Sequence, residues 1–276
     1  MVDYTNELAA ARKAAASALE YLHGAYEAFK PMKDAPATIS TEADRTSQEL
    51  IFASLADDFP NDALCGEETT ANPSAYKPNA KRVWVIDPID GTRGFVMKNG
   101  EFSVMVGLRV GNEVVVGVVA EPAFSRITYA AKGQGCWVQI GDAAPQRCSV
   151  NAVAKLADCT LVQSHAKKGP TPHSQKIAPK KILETYSAGV KMAMVARGEA
   201  DIYVNTYANF HDWDICAGDL LVTEAGGKTS QISGEPLIYG ILPTYSQRGG
   251  LIADNGAIHP AAVGTLAPAA AELLRE

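Results

Sequence analysis

RVWVIDPIDGTRGF, residues 82–95, sets two aspartates three positions apart between an apolar run and a glycine–threonine pair. The apolar VWVI reads as a buried strand, which puts Asp87 at its carboxyl-terminal mouth. Pro88 has no N–H to give to a ladder, so the strand is expected to stop there and the chain to turn. Gly91 tolerates positive φ, which lets the backbone bring the Asp87 and Asp90 carboxylates toward one point while the amides of Gly91 and Thr92 turn outward as an anion-binding nest. An isolated Asp-Gly is ordinarily a plain turn. Here two carboxylates share a tightly constrained bend, and they repel each other unless a cation sits between them.

Working outward, residues 82–140 break into short β-branched runs, VWVI, FSVMVGLRV, EVVVGVVAEP and RITYAA, separated by Gly-Asn, Pro and Gly. This pattern predicts an antiparallel sheet with VGNEV as a hairpin. Before it, Leu8, Ala11, Ala15, Leu19, Leu22, Tyr26 and Phe29 recur at steps of three and four, with Asp3 or Thr5 as cap and Pro31 beyond the end: a long first helix. A second starts near STEAD, where Thr41 and Asp44 have capping-box spacing, and is expected to turn Leu50, Ile51, Leu55 and Phe59 inward. After about residue 150 the texture alternates. A strand CTLVQS, a polar loop over 165–180, a helix from Ser187 to Gly198, a strand ADIYV and a helix from Asp214 to the Gly226-Gly227 stop follow one another, with an Ala-rich helix at the C-terminus. Two lobes result, an α+β half over 1–150 and an α/β half over 151–276.

Composition excludes several classes of function. With 25 basic and 31 acidic side chains in 276 residues and no basic stripe, the chain is not expected to bind polymeric nucleic acid or anionic lipid. No run of about 18 apolar residues suggests a membrane span. Five scattered cysteines, never in a C-x-x-C pair, suggest neither a disulfide framework nor a zinc site, and read as reduced thiols in a cytoplasmic protein.

Two further acidic groups accompany the bend. CGEETT places Glu67 and Glu68 about twenty residues before Asp87, and HDWDICAGD puts Asp214 in the first turn of a helix. Each alone has an ordinary explanation, a solvated loop or an acid complementing a helix dipole. Oxygen ligands spread over several elements, with no His or Cys among them, suit Mg²⁺ rather than Zn²⁺. An EF-hand is excluded because Pro88 and Ile89 occupy positions where oxygens are needed, and the D-x-D-G-T of haloacid-dehalogenase phosphatases is out of register with aspartates three apart.

Together, GEET, WVIDPIDGTRGF and WDICAGDLLVTEAGG resemble, in order and spacing, the three signatures of the inositol monophosphatase superfamily of Mg²⁺-dependent, lithium-sensitive phosphatases. The resemblance implies a layered αβαβα sandwich of the inositol monophosphatase/fructose-1,6-bisphosphatase type. It implies two or three Mg²⁺ ions held by Glu67, Asp87, the Ile89 carbonyl, Asp90 and Asp214. It also implies that Thr92 and Asp44 orient the attacking water, with Gly91 and Thr92 holding phosphate oxygens and Asp214 beside the substrate. The partner implied is a small phosphate ester, and a homodimer is compatible with the resemblance. A non-catalytic relative would lack Thr92, Asp44 or a metal ligand, and all are present.

Within the superfamily the chain is most similar to the bacterial 3'(2'),5'-bisphosphate nucleotidases. Arg93-Gly94-Phe95, Asn99 to Phe102, Ser164-His165 and Lys191 carry that similarity. It implies 3'-phosphoadenosine 5'-phosphate as substrate, its second phosphate held by His165 and Lys191 with help from Lys167 and Lys168, and its base stacked on Tyr207 or Phe210. SAGVK departs from the nucleotidase pattern, which has two serines there. Inositol monophosphatase, or a broad sugar-phosphate or histidinol-phosphate phosphatase, is the alternative.

Overall fold

The computed structural model describes residues 2–36, 38–71, 77, 80–166, 169–207, 210–241 and 244–274. Lys167 and Lys168 lie outside them. The chain folds as five layers in the order αβαβα, the arrangement the resemblance implied.

Helices α1 (Thr5–Ala28) and α2 (Glu42–Asp58) form the first layer. The inward face of α1 is largely alanine, with Ala11, Ala14, Ala15, Ala18 and Leu22 buried, so the helix lies close against the sheet beneath it. Asp3 accepts the Thr5 N–H (3.0 Å) just ahead of its first turn. Helix α2 is closed by the anticipated capping box. Its inward face differs from expectation, since Leu50 is 36% exposed and Phe52 is buried beside Ile51 and Leu55.

The second layer is a seven-stranded sheet in the order β1-β2-β3-β4-β5-β6-β7. Its strands are β1 (Ala63–Gly66), β2 (Arg82–Asp90), β3 (Ser103–Val110), β4 (Glu113–Glu121), β5 (Arg126–Ala131), β6 (Cys136–Ile140) and β7 (Gln146–Arg147). From β2 onward it is antiparallel as expected, while β1, whose four residues are too short for a periodic signal, pairs parallel to β2. Pro88 does not end β2. The ladder to β3 breaks after Asp87↔Met105 and resumes at Asp90↔Ser103, so proline and Ile89 sit in an irregularity of the strand that both aspartates flank. The short helix α3 (Thr92–Val96) leaves this strand through Gly91 at φ 84°.

Helices α5 (Ala188–Ala196) and α6 (Asp212–Glu224) form the middle layer. Two strand glycines let α6 lie directly on the sheet: a Cβ at Gly117 would stand 2.4 Å from the Ala217 carbonyl oxygen, and one at Gly107 2.8 Å from Cys216 Sγ.

The second sheet has the order β11-β12-β10-β8-β9. Strands β8 (Thr160–Gln163), β9 (Lys181–Glu184) and β10 (Ile202–Asn205) run parallel, and β11 (Lys228–Ser230) and β12 (Leu251–Asp254) run antiparallel at one side. The outer layer contains α4 (Pro172–Ile177), α7 (His259–Leu266) and α8 (Ala270–Leu273). The segment 165–180 is thus not loop throughout, because Thr171 caps α4 through the Ser174 N–H and Pro172 sits in its first turn. Three apolar clusters fill the interlayer spaces, one beneath α1 and α2, one around α5 and α6, and one under α4 and α7.

Candidate active site

Asp87 and Asp90 come from the irregular end of β2, and Asp214 from the first turn of α6, where its carboxylate accepts the His211 N–H at 2.6 Å. Each of the three aspartates offers an oxygen within 4.8 Å of the others. Asp90 is held by Ser187 Oγ, by the Gly189 N–H at 2.6 Å and, more loosely, by Ser103 Oγ at 3.4 Å. Ser187, at the start of α5, also caps that helix through the Val190 N–H at 2.9 Å. Sequence reading located Ser187 as a helix start and missed its second task of positioning Asp90. A cap residue adjacent to a small-residue helix start was the available signal.

Asp87 accepts the Ile89 N–H at 3.1 Å. Among the described residues no lysine or arginine forms an ion pair with it, although only 2% of its surface is exposed. Burial, followed by the charges of Glu67, Asp90, Asp214 and Asp44, holds its carboxyl well above the usual range. Asp90 and Asp214 are also raised by burial. Glu67 follows β1, with its N–H 3.3 Å from the Ile86 carbonyl oxygen, and is still reached by solvent. Loss of hydration in this acidic hollow, then the charges of Asp214, Asp44, Glu68 and Asp90, push its carboxyl up to about 8. Clustered buried carboxylates, of which Asp87 has no cationic partner among the described residues, are a donor set suited to hard divalent cations. The aspartates and Glu67 therefore fit Mg²⁺, and the neighbouring Ile89 carbonyl is an oxygen of the same kind.

The turn that carries Glu67 is set by α2. Gln48 accepts the Glu68 N–H (2.9 Å) and donates to the Glu68 carbonyl (2.8 Å), and a Cβ on Gly66 would lie 2.2 Å from Gln48 Oε1. A side chain at 66 would push the Gln48 amide out of these two hydrogen bonds.

Thr92 and Asp44, forty-eight residues apart, meet in space: Thr92 Oγ1 donates to Asp44 Oδ1 at 3.0 Å and lies equally close to the Ile89 carbonyl oxygen. Asp44 Oδ2 is occupied by the Thr41 N–H (2.8 Å) and Oγ1 (2.7 Å), so the capping box that starts α2 also orients the carboxylate. Burial raises the Asp44 carboxyl, with the Thr41 bonds acting against it.

The residues expected to grip a second phosphate are arranged differently from expectation. Lys191 was anticipated as a substrate contact but is 1% exposed, and its ammonium donates to the Tyr186 carbonyl at 2.9 Å. It sits on the inward face of α5 over the Tyr203 ring, and burial lowers its pKa to about 8 against the pull of Asp90, Glu101 and Asp214. Ser164 is exposed at the end of β8, and Tyr207 is 45% exposed while Phe210 is buried. His165 is spoken for by carboxylates from two directions, with Nε2 2.7 Å from Glu101 and Nδ1 3.6 Å from Glu184. Its ring packs on Tyr186, and the Arg93 guanidinium lies 4.7 Å from the other ring of that contact.

Residues 3–272 match the family model described as inositol monophosphatase family. The chain belongs to that family. Its members are metal-dependent phosphatases of phosphate monoesters, and the chain is a phosphoric monoester hydrolase. It is 30% identical to the histidinol-phosphatase of Mycobacterium tuberculosis, over 79% of this chain and 81% of that one. It is 32% identical to the probable 3'(2'),5'-bisphosphate nucleotidase 4 of Arabidopsis thaliana, over 64% and 60% respectively. The inositol monophosphatase of Thermotoga maritima superposes with a TM-score of 0.77 at 27% identity, covering 95% of this chain and 96% of its own. Among the described residues no helix is long and apolar enough to cross a membrane.

Proposed function

We propose that the protein hydrolyses the 3'-phosphate of 3'-phosphoadenosine 5'-phosphate by in-line attack of a water that Thr92 and Asp44 hold. The observation that carries the hydrolytic reading is the 3.0 Å hydrogen bond between Thr92 Oγ1 and Asp44 Oδ1, beside three converging aspartates. With its proton directed to Asp44, Thr92 Oγ1 keeps a lone pair free to accept from the water and fix its direction. As the water attacks, its proton passes to Thr92 Oγ1, and the threonine proton passes to Asp44, whose raised carboxyl is suited to accept it. First-turn amides of α3, from Thr92 and Arg93, have no partner within the helix and are available to phosphate oxygens.

Glu67, Asp87, Ile89 O, Asp90 and Asp214 would hold two or three Mg²⁺ ions, which when bound would supply Lewis acidity and neutralise the phosphate in a net acidic protein.

Support for the nucleotide is the similarity to a bisphosphate nucleotidase together with the positive charge of Arg93 and of buried Lys191 near Asp90. Lys191 would act on a second phosphate through its field, since its ammonium is turned to Tyr186. A second reading, histidinol phosphate, is favoured by a specific observation: Glu101 and Glu184 flank His165 with carboxylates, which suits a cationic substrate tail.

The test is phosphate release at saturating Mg²⁺ from 3'-phosphoadenosine 5'-phosphate, histidinol phosphate, inositol 1-phosphate and fructose 1,6-bisphosphate. A kcat/KM for the bisphosphate nucleotide at least about tenfold above the others, a difference of about 1.4 kcal/mol, is expected. A preference for histidinol phosphate moves the assignment to the second reading, and a preference for either sugar-type ester overturns both.

A further inference from the structure

The hairpin of β6 and β7 lies at the far edge of the seven-stranded sheet. Trp137 stands opposite Arg147 and Val138 opposite Gln146, so continuing the register sets Cys136 opposite Cys148. The Cys148 N–H donates to the Cys136 carbonyl at 2.8 Å, which fixes that pairing. Opposed residues in an antiparallel pair project from the same face, and in a hydrogen-bonded pair their Cα atoms are about 5.5 Å apart, inside the span a disulfide bridges. The Cys136 thiol is the strongest influence on the Cys148 thiol opposite it. We propose that Cys136 and Cys148 are an oxidisable dithiol, which a low-molecular-weight disulfide of the glutathione class converts reversibly into an intrachain disulfide.

Three features set this pair apart from the other cysteines. The first is access: Cys148 directly follows β7, a two-residue edge strand, and Gln146, Arg147 and Ser149 around it are exposed, so a small opening uncovers it. The second is an electropositive neighbour. The Arg197 guanidinium, fixed by Glu121 (2.9 Å), Thr128 (2.8 Å) and Glu199, acts on the Cys148 thiol. The Cys136 thiol, and after it Arg197, outweigh burial and draw the Cys148 thiol below its ordinary value, whereas burial pushes Cys65 and Cys159 up to about 12. The third is a resolving partner, since Cys136 lies directly across the strand pair from Cys148.

The chemistry balances in two exchanges. Cys148 thiolate attacks one sulfur of oxidised glutathione, forming a mixed disulfide and expelling one glutathione thiolate. Cys136 then loses its proton and attacks Cys148 Sγ, releasing the second glutathione. The dithiol gives up two electrons and two protons, and one oxidised glutathione becomes two reduced ones. The linkage closes a short hairpin loop already formed, so little backbone movement is required.

The experiment incubates the full chain in glutathione buffers from fully reduced to mostly oxidised, blocks remaining thiols by alkylation and digests with trypsin. Cleavage after Lys132, Arg147 and Lys155 places Cys136 in peptide 133–147 and Cys148 in peptide 148–155, so the disulfide appears as these two peptides joined. The joined species is expected to rise with oxidation and vanish on return to reduced glutathione, with Cys65, Cys159 and Cys216 alkylated throughout. Oxidation should raise Tm by about 5 °C, a constraint on the unfolded chain of the size expected for so short a loop. Cys136→Ser is expected to stall at a Cys148–glutathione mixed disulfide, and Cys148→Ser to leave Cys136 unmodified. Absence of the joined peptides in the wild-type chain overturns the proposal, whatever the variants do. Glutathione on Cys136 in Cys148→Ser with none on Cys148 in Cys136→Ser would overturn the assignment of the attacking thiol.

Discussion

Two buried acidic regions of this molecule are handled in opposite ways. Glu121, at the end of β4, is wholly buried, and guanidinium groups answer it from two sides, Arg126 at 2.6 and 2.8 Å and Arg197 at 2.9 Å. Asp87, in the same sheet, is almost as deeply buried and among the described residues accepts a single backbone N–H, with other carboxylates for neighbours. The first region is complete without help. The second carries an electrostatic debt that folding leaves open, and a site so arranged is one that a divalent cation completes. Burial alone does not mark a functional acid. The lack of a protein cation does.

The sharpest way to break this contrast is Asp87→Asn. Activity is expected to fall by at least about 10³-fold at saturating Mg²⁺, since the variant loses a charge that candidate ligands on two elements share. Stability in the presence of a chelator should move the other way. Removing a carboxylate whose pKa is raised by burial and by its acidic neighbours relieves that penalty, so Tm measured by calorimetry in EDTA should rise. A fall in Tm would mean that Asp87 already has a partner in the metal-free protein.

The converse substitution, Glu121→Gln, takes the buried carboxylate from two guanidinium groups and leaves only the more exposed Glu199 to answer both, although Arg197 is 5% exposed. Breaking such a buried pair costs about 3–5 kcal/mol, and denaturant unfolding should show a loss of that size. The expected response to Mg²⁺ is unchanged. If the two substitutions shifted stability in the same direction, the distinction between a self-satisfied acid and a waiting one would be lost.

Much of this contrast was legible in the sequence, and the illegible part has identifiable causes. Local rules found the capping box of α2, the antiparallel run from β2 and the bend with both aspartates, because each depends on residues a few positions apart. What escaped was short or non-local. Strands β1, β9, β11 and β12 have three or four residues each, too few to establish a period. Helix α4 hides in a polar segment behind a Thr-Pro start. The burial of Lys191 is not legible because nothing in its neighbours reveals that the face of α5 it occupies turns toward Asp90 and Tyr203. Pro88 was given too much authority, since an irregularity in the ladder absorbs the missing donor.

Thr92→Ala sharpens the comparison within the candidate site by separating assembly from chemistry. Thr92 touches Asp44 and the Ile89 carbonyl but contributes no charge to the cluster. Loss of a hydroxyl that orients water and passes its proton should lower kcat by about 10²-fold, or about 2.7 kcal/mol. The rise in Tm produced by Mg²⁺ should be retained to within experimental error. A variant with unchanged kcat would remove Thr92 from the proposed proton path, and one that lost the Mg²⁺ response would make it part of the metal centre.

The smallest effect extends the argument from buried acids to a buried base. His173, in α4, is 7% exposed, its Nε2 lies 3.0 Å from Thr171 Oγ1, and Nδ1 has no hydrogen-bond partner. Burial lowers its pKa from 6.5 to about 4. At pH 7 the ring is neutral in both folded and unfolded chains, and the shift has almost no effect on stability. As pH falls through 6.5 the unfolded chain takes up a proton that the folded chain refuses, so stability declines, and the penalty is complete only below about 4. At pH 5 the expected loss is about 2 kcal/mol relative to pH 7. The raised carboxyls around Asp87 work in the opposite sense over acid pH, so the histidine contribution is isolated by difference, from urea midpoints of wild type and His173→Gln at both pH values. The variant lacks the group that must charge, and its stability should fall less between pH 7 and pH 5 by that amount. Parallel pH dependences would show that His173 finds a proton partner in the folded chain, and that its burial does not carry the cost that the lone carboxylates of the site do.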